Sequence, residues 1–174
     1  MYYELTKCTA VLSTISNENL SGDAVVDLAK IVQVVENTMD GTSGALYAIF
    51  LNSLLAALRE NASAGQATPE VWAKALQSAS EALSRYTPAK PGDRTLVDAL
   101  YPFVETLSKT GDIKKAAEAS RKGAEGTKGM KASLGRTVYI GGTGFEQVPD
   151  PGAWGLSEFF LGLAGLGESE YELV

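Results

Sequence analysis

The chain has 174 residues, 45% hydrophobic and 21% charged, enough apolar side chain for one ordinary globular domain over residues 1–174. Its 15 basic against 21 acidic residues give a net charge of −6, a field that repels polyphosphate backbones and argues against a nucleic-acid partner. Histidine is absent and Cys8 is the single cysteine, which excludes Ser-His-Asp and Cys-His mechanisms, the usual zinc ligand and an internal disulfide, and fits a reducing, cytoplasmic setting.

The start, Met1 to Lys7, places an acid and a base ahead of any apolar stretch, unlike a signal peptide. The helical period begins with Leu5, Cys8, Leu12 and Ile15, over a short segment from about Glu4 to Ile15. A second helix opens near Ser21 or Asp23, carries Val25, Leu28, Val32, Val35 and Met39 on one face, and stops at Asp40-Gly41. The third begins at Thr42-Ser43-Gly44 and is apolar nearly all round through Tyr47, Phe50, Leu51, Leu54 and Leu58, as expected of a central helix. Its stretch Ala45 to Leu58, interrupted by Asn52 and Ser53, falls short of the roughly 20 residues that cross a bilayer, so it reads as buried core and no membrane is expected.

Thr68-Pro69-Glu70 combines an N-cap, a first-turn proline and an acid, the start of a fourth helix with Trp72, Ala75, Leu76, Ala79, Leu83 and Tyr86 facing inward. After the break at Thr87 to Gly92, Asp93 is expected to cap a fifth helix with Leu96, Leu100, Phe103, Val104 and Leu107 inside and a kink at Pro102. Asp112 caps a sixth with a small inner line, Ile113, Ala116, Ala117, Ser120, Ala124 and Thr127, which lets a neighbouring backbone come close. Lys131 to Val148 loses the period, holds Gly135, Gly141, Gly142 and Gly144, and reads as a long functional loop whose only strand-like alternation is Thr137 to Ile140. A last helix restarts at Asp150-Pro151-Gly152-Ala153 with Trp154, Leu156, Phe159, Phe160 and Leu163, all read as core, and the acidic tail Glu168 to Val174 frays. The fold class is all-α, an antiparallel helical bundle or closed barrel.

Three polar or glycine-rich turns directly precede helices: Asp40 to Gly44, Pro91 to Thr95, and Asp150 to Ala153. Each is expected to expose backbone N–H groups at the positive end of a helix dipole, the arrangement that holds phosphate. Glycines in Gly41-Thr42-Ser43-Gly44 permit close backbone approach, its hydroxyls donate to phosphate oxygens, and Arg136 adds a forked cation. Capping selects the same residue types for stability alone, so both readings stand for any one turn. Asp93 and Asp98, five apart, do not meet on one helix face and give no acid/base pair.

Four motifs in order, Glu36 to Tyr47, Pro91 to Leu100, Gly135 to Tyr139 and Asp150 to Ala153, resemble the nucleotide-binding L domain of dihydroxyacetone (glycerone) kinases, closest to the single-chain ATP-dependent kinases of eukaryotes. The resemblance implies an antiparallel barrel of eight helices with Mg-ATP at one end. It implies that Thr42, Ser43 and Gly44 hold phosphates, that Thr95 and Leu96 line the nucleotide pocket, and that Arg136 with Asp150, Pro151 and Gly152 completes it. It further implies ATP or ADP with Mg2+ as cofactor. The phosphoryl group would pass to dihydroxyacetone, held covalently by a histidine of a separate K domain; some relatives act on glyceraldehyde or split FAD.

The family's Gly-Asp-Gly-Asp-type loop, whose aspartates bind magnesium, is replaced here by Met1-Tyr2-Tyr3-Glu4. The family's first helix, the metal ligands and the K domain are therefore expected to be missing, and the isolated chain to be a poor catalyst or none. The alternative is a non-catalytic binding or oligomerisation module of this family that pairs with itself or with a full-length kinase.

Overall fold

Asp23 starts the first described helix, α1 (Ala24–Thr38): its carboxylate accepts from the backbone N–H groups of Val25 and Val26, as the sequence reading expects of a cap. The computed structural model describes residues 20–63, 66–134 and 145–167, and the helices among them are α1, α2 (Gly41–Asn61), α3 (Pro69–Ser84), α4 (Val97–Thr110), α5 (Ile113–Gly126) and α6 (Pro151–Leu163). A short 3-10 turn, Phe145–Gln147, precedes α6. The all-α expectation holds. The segment from Glu4 to Ile15, the alternation Thr137 to Ile140, Gly135-Arg136 and the acidic tail lie outside the described residues.

Two compact units divide the chain, Met1–Thr87 and Pro88–Val174. In the first, α2 packs against both α1 and α3. Leu28, Val32 and Val35 of α1, Leu54, Leu55, Ala57 and Leu58 of α2, and Ala73, Ala75, Leu76, Ala79 and Leu83 of α3 are buried. Thr68 caps α3 by accepting from Val71 N–H, with Pro69 in the first turn. Tyr86 is not on the inner stripe of α3: it lies beyond the last helical residue, Ser84, and is 69% exposed. The helix α2 has 21 residues and an 18-residue window of mean hydropathy 1.4, long and apolar enough to cross a bilayer by length and composition, as a core helix can also be.

In the second unit α5 packs on α4 and α6, and α4 also meets α6. Small residues make this possible: Ala116, Ala117, Ser120, Ala124 and Thr127 are fully buried, the line expected from the sequence apart from the exposed Ile113. A Cβ added to Gly123 would collide with the Asp98 carbonyl oxygen. Pro102, one turn on in α4, has no N–H to give that carbonyl, so Gly123 of α5 comes close where the α4 ladder is broken.

The inner stripe of α6 is Ala153, Ser157, Phe160 and Ala164, at steps of four, three and four; Trp154, Phe159 and Leu163 are exposed rather than core. Phe160 stacks on Phe103 with centroids 3.7 Å apart, while the Arg121 guanidinium lies 4.0 Å from the Trp154 ring centroid and pairs with Glu158 at 2.5 Å.

Candidate functional site

Three helix-start turns carry the expected site residues, and their amides are satisfied in different ways. At α2 the first helical residue is Gly41, and Asp40, in the N-cap position with extended backbone, makes no side-chain capping bond. Thr42 and Ser43 are exposed on the first turn and Gly44 is buried. Gly44 is glycine for a steric reason: a Cβ there would collide with the Met39 carbonyl oxygen and come within 2.7 Å of its carbon. The first turn of α2 therefore presents two hydroxyls and amides that its N-cap side chain does not occupy.

The turn before α4 is built otherwise. Asp93 does not cap the helix, which corrects the sequence expectation. Its carboxylate accepts from Lys90 N–H at 2.8 Å and from the Ser133 hydroxyl at 3.0 Å, and α4 begins only at Val97, with Leu96 as an uncapped N-cap. The cause is Arg94, whose φ of 59° puts a non-glycine residue in the left-handed region and bends the chain away from helix. Arg94 is 2% exposed, and its Nη2 donates to the Val148 carbonyl at 2.8 Å. Capping is done from inside the helix. Buried Asp98 reaches back, Oδ1 accepting from Gly92 N–H at 2.5 Å and Oδ2 from Thr95 N–H at 2.8 Å.

At α6 Asp150 is buried, and its carboxylate accepts from Ala153 N–H at 2.9 Å. Its own N–H donates to the hydroxyl of buried Thr127 at 2.7 Å, and that hydroxyl donates to the Ala124 carbonyl at 2.6 Å. Pro151 has no N–H, so this turn does not offer the row of open amides expected from the sequence. Gly152 faces the α4 turn: a Cβ there would lie 3.6 Å from Leu96 Cβ, 3.8 Å from Leu96 N and 3.1 Å from the Asp150 carboxylate.

Within the second unit the structure thus brings Leu96 to Gly152 and ties Arg94 to the segment entering α6. Thr42, Ser43 and Gly44 belong to the first unit, and Arg136 lies outside the described residues. Sequence reasoning gave Arg94, Asp98 and Thr127 no part in shaping these turns. An acid three residues after Thr95 and six after a glycine was the available signal for Asp98, since such a carboxylate can return to the amides that precede its own helix. Among the described residues no three Asp, Glu, His or Cys side chains gather.

A family model described as DAK2 domain matches residues 5–165. A dihydroxyacetone kinase of Pichia angusta is 42% identical over 166 residues, covering 89% of this chain and 27% of that kinase. A triokinase/FMN cyclase of Homo sapiens is 36% identical over 134 residues, covering 72% of this chain and 22% of that protein. The native crystal structure of the dihydroxyacetone kinase of C. freundii superposes with a TM-score of 0.67 at 25% identity, covering 92% of this chain and 28% of that one. A second structure of that kinase, in complex with AMP-PNP and Mg2+, gives 0.66 at 23% identity, with coverage of 94% and 27%. The chain spans about a quarter of the length of these relatives. It belongs to the DAK2 domain family, the L domain of dihydroxyacetone kinases.

Proposed function

We propose that this chain is the ATP-binding domain of a dihydroxyacetone kinase, supplying in the cytoplasm the nucleotide whose phosphoryl group passes to dihydroxyacetone or glyceraldehyde on a separate K domain. Family membership and the C. freundii kinase crystallised with AMP-PNP and Mg2+ support the ligand class. The observation that carries the reading is the start of α2, where the Asp40 side chain makes no capping bond to the first-turn amides and Thr42 and Ser43 are exposed beside them. Such a turn attracts anions through the helix dipole, through backbone N–H donors and through hydroxyls, and buried Gly44 keeps it tight against Met39. Thr42, Ser43 and Gly44 are proposed as phosphate contacts. Thr95, Leu96, Asp150, Pro151, Gly152 and Arg136 are proposed as contacts to the rest of the nucleotide.

The test is Ser43→Glu. Ser43 occupies the third residue of α2, where a carboxylate favours the helix dipole but repels phosphate. The variant is expected to melt no lower than the parent without ligand and to lose the stabilisation by ATP. In the parent, ATP at a hundred times its dissociation constant should add about 2.7 kcal/mol, a rise of about 5–10 °C for a chain of this size. An unchanged ATP-dependent rise in the variant would overturn the assignment.

The exposed Phe159 and Leu163 of α6, at 59% and 58%, favour a second reading, a non-catalytic module that self-associates through this face or binds a full-length kinase. It predicts concentration-dependent sedimentation that Phe159→Lys abolishes; a monomer at all concentrations excludes self-association.

A further inference from the structure

Asp98 is a carboxylate removed from water, and among the described residues it belongs to no group of three metal-ligating side chains. Its two oxygens are both occupied, by Gly92 N–H at 2.5 Å and Thr95 N–H at 2.8 Å. The turn between those amides contains the left-handed Arg94, a conformation that a β-carbon-bearing residue adopts only when its surroundings impose it. Two charge-assisted bonds from one rigidly held side chain supply that constraint at both ends of the turn. They also define what the turn can do. With its amides at 92 and 95 taken by a negative group, it is a poor cradle for phosphate; what it presents is the half-buried side chain of Leu96, held against Gly152. Apolar surface of fixed shape suits a nucleobase and not a phosphate chain.

We propose that Asp98 is the positioning residue of the 92–96 turn: by holding the amides of Gly92 and Thr95 it fixes Thr95 and Leu96 in the arrangement that meets the nucleoside end of ATP, while leaving the phosphates to other residues. This rests on the ATP-binding reading above. Its consequence is a division of labour. Loss of the Asp98 grip weakens recognition of the nucleoside without touching recognition of the phosphates.

The experiment is calorimetric titration of the whole chain with ATP and, separately, with inorganic tripolyphosphate, for the parent and for Asp98→Asn. Asparagine is isosteric but offers one acceptor oxygen, and its NH2 group opposes the second amide donor. The expected result is that Asp98→Asn binds ATP about tenfold more weakly, the scale of one lost charge-assisted hydrogen bond, and tripolyphosphate as well as the parent does. Asp98→Glu, with the charge kept but moved out by one methylene, should behave the same way. Val104→Ala, which opens the core of the same helix, should lower the melting temperature and leave the ATP to tripolyphosphate ratio unchanged, separating positioning from general stability.

If the parent binds neither ligand, the functional reading falls and this inference with it. If the parent binds both, and the folded Asp98 variants keep the parental ratio, the inference alone is overturned. Should neither variant fold, amide hydrogen exchange in the ligand-free parent decides: protected Gly92 and Thr95 amides sustain the proposal, and rapid exchange at both overturns it.

Discussion

Asp40 and Asp150 occupy the same place in the two units of the molecule, the residue before the first turn of a helix, with a glycine closely following. Asp150 is buried and spends its carboxylate on Ala153 N–H, its N–H on Thr127, and its neighbour Pro151 has no amide to offer. Asp40 is exposed and makes no side-chain capping bond, so its carboxylate does not take the first-turn amides of α2. The same sequence signature thus yields a closed, structural start in one unit and an open one in the other. What closes the α6 start is a buried partner, a long-range fact: Thr127 is 23 residues from Asp150 in the chain.

The comparison breaks most visibly at the glycines. Gly44→Ala would drive a Cβ into the Met39 carbonyl and is expected to cost about 3 kcal/mol or more, as overpacking against backbone does. Gly152→Ala meets its nearest atom, the Asp150 carboxylate, at 3.1 Å and should cost about 1 kcal/mol. Equal costs in chemical denaturation would remove the steric distinction between the two turns. Next in size, Asp150→Ala deletes a cap worth about 1–2 kcal/mol, whereas Asp40→Ala takes no capping bond with it and should cost less.

The smallest effect is acid sensitivity. The Asp112 carboxyl at the start of α5 is held below its ordinary value chiefly by the Lys115 N–H, and Asp27 in α1 chiefly by the Ser21 N–H. A carboxylate whose pKa is lowered by folding stabilises the folded state above its unfolded value and loses that contribution as pH falls through the folded one. Support for the starts of α1 and α5 should accordingly fade below about pH 4, read as a falling melting temperature that Asp112→Asn makes shallower. A slope unaltered by that substitution would show that the Asp112 cap carries no linked proton.

Much of this was legible in the sequence. The starts of α1, α3, α5 and α6 were readable because Asp23, Thr68, Asp112 and Asp150 act on amides two or three residues away, a local rule that single letters disclose. The small inner line of α5 was readable for the same reason, a period of 3.6 in residues with nothing else to recommend them. Asp93 misled because the turn at Arg94 is left-handed, held by the Asp98 carboxylate on the amides at either end and tied by Arg94 to Val148, 54 residues away. Trp154 and Phe159 misled because size was read as burial. The contact of α6 with α4 and α5 is made by Ala153, Ser157, Phe160 and Ala164: the three small residues let the helices approach, Phe160 stacks on Phe103, and Trp154 and Phe159 are left outside. Of the candidate site, the residue types and their turns were visible; which turn keeps its amides was not, since that depends on partners such as Asp98 and Thr127 that only the fold supplies.

The open turn at α2 is tested most directly by the amide resonances of Gly41, Thr42 and Ser43 during titration with ATP. The account predicts that these three shift saturably, with the same dissociation constant that calorimetry gives, while the Lys114 amide of α5, capped by Asp112, stays nearly still. Saturable binding of ATP that leaves Gly41, Thr42 and Ser43 in place would contradict it.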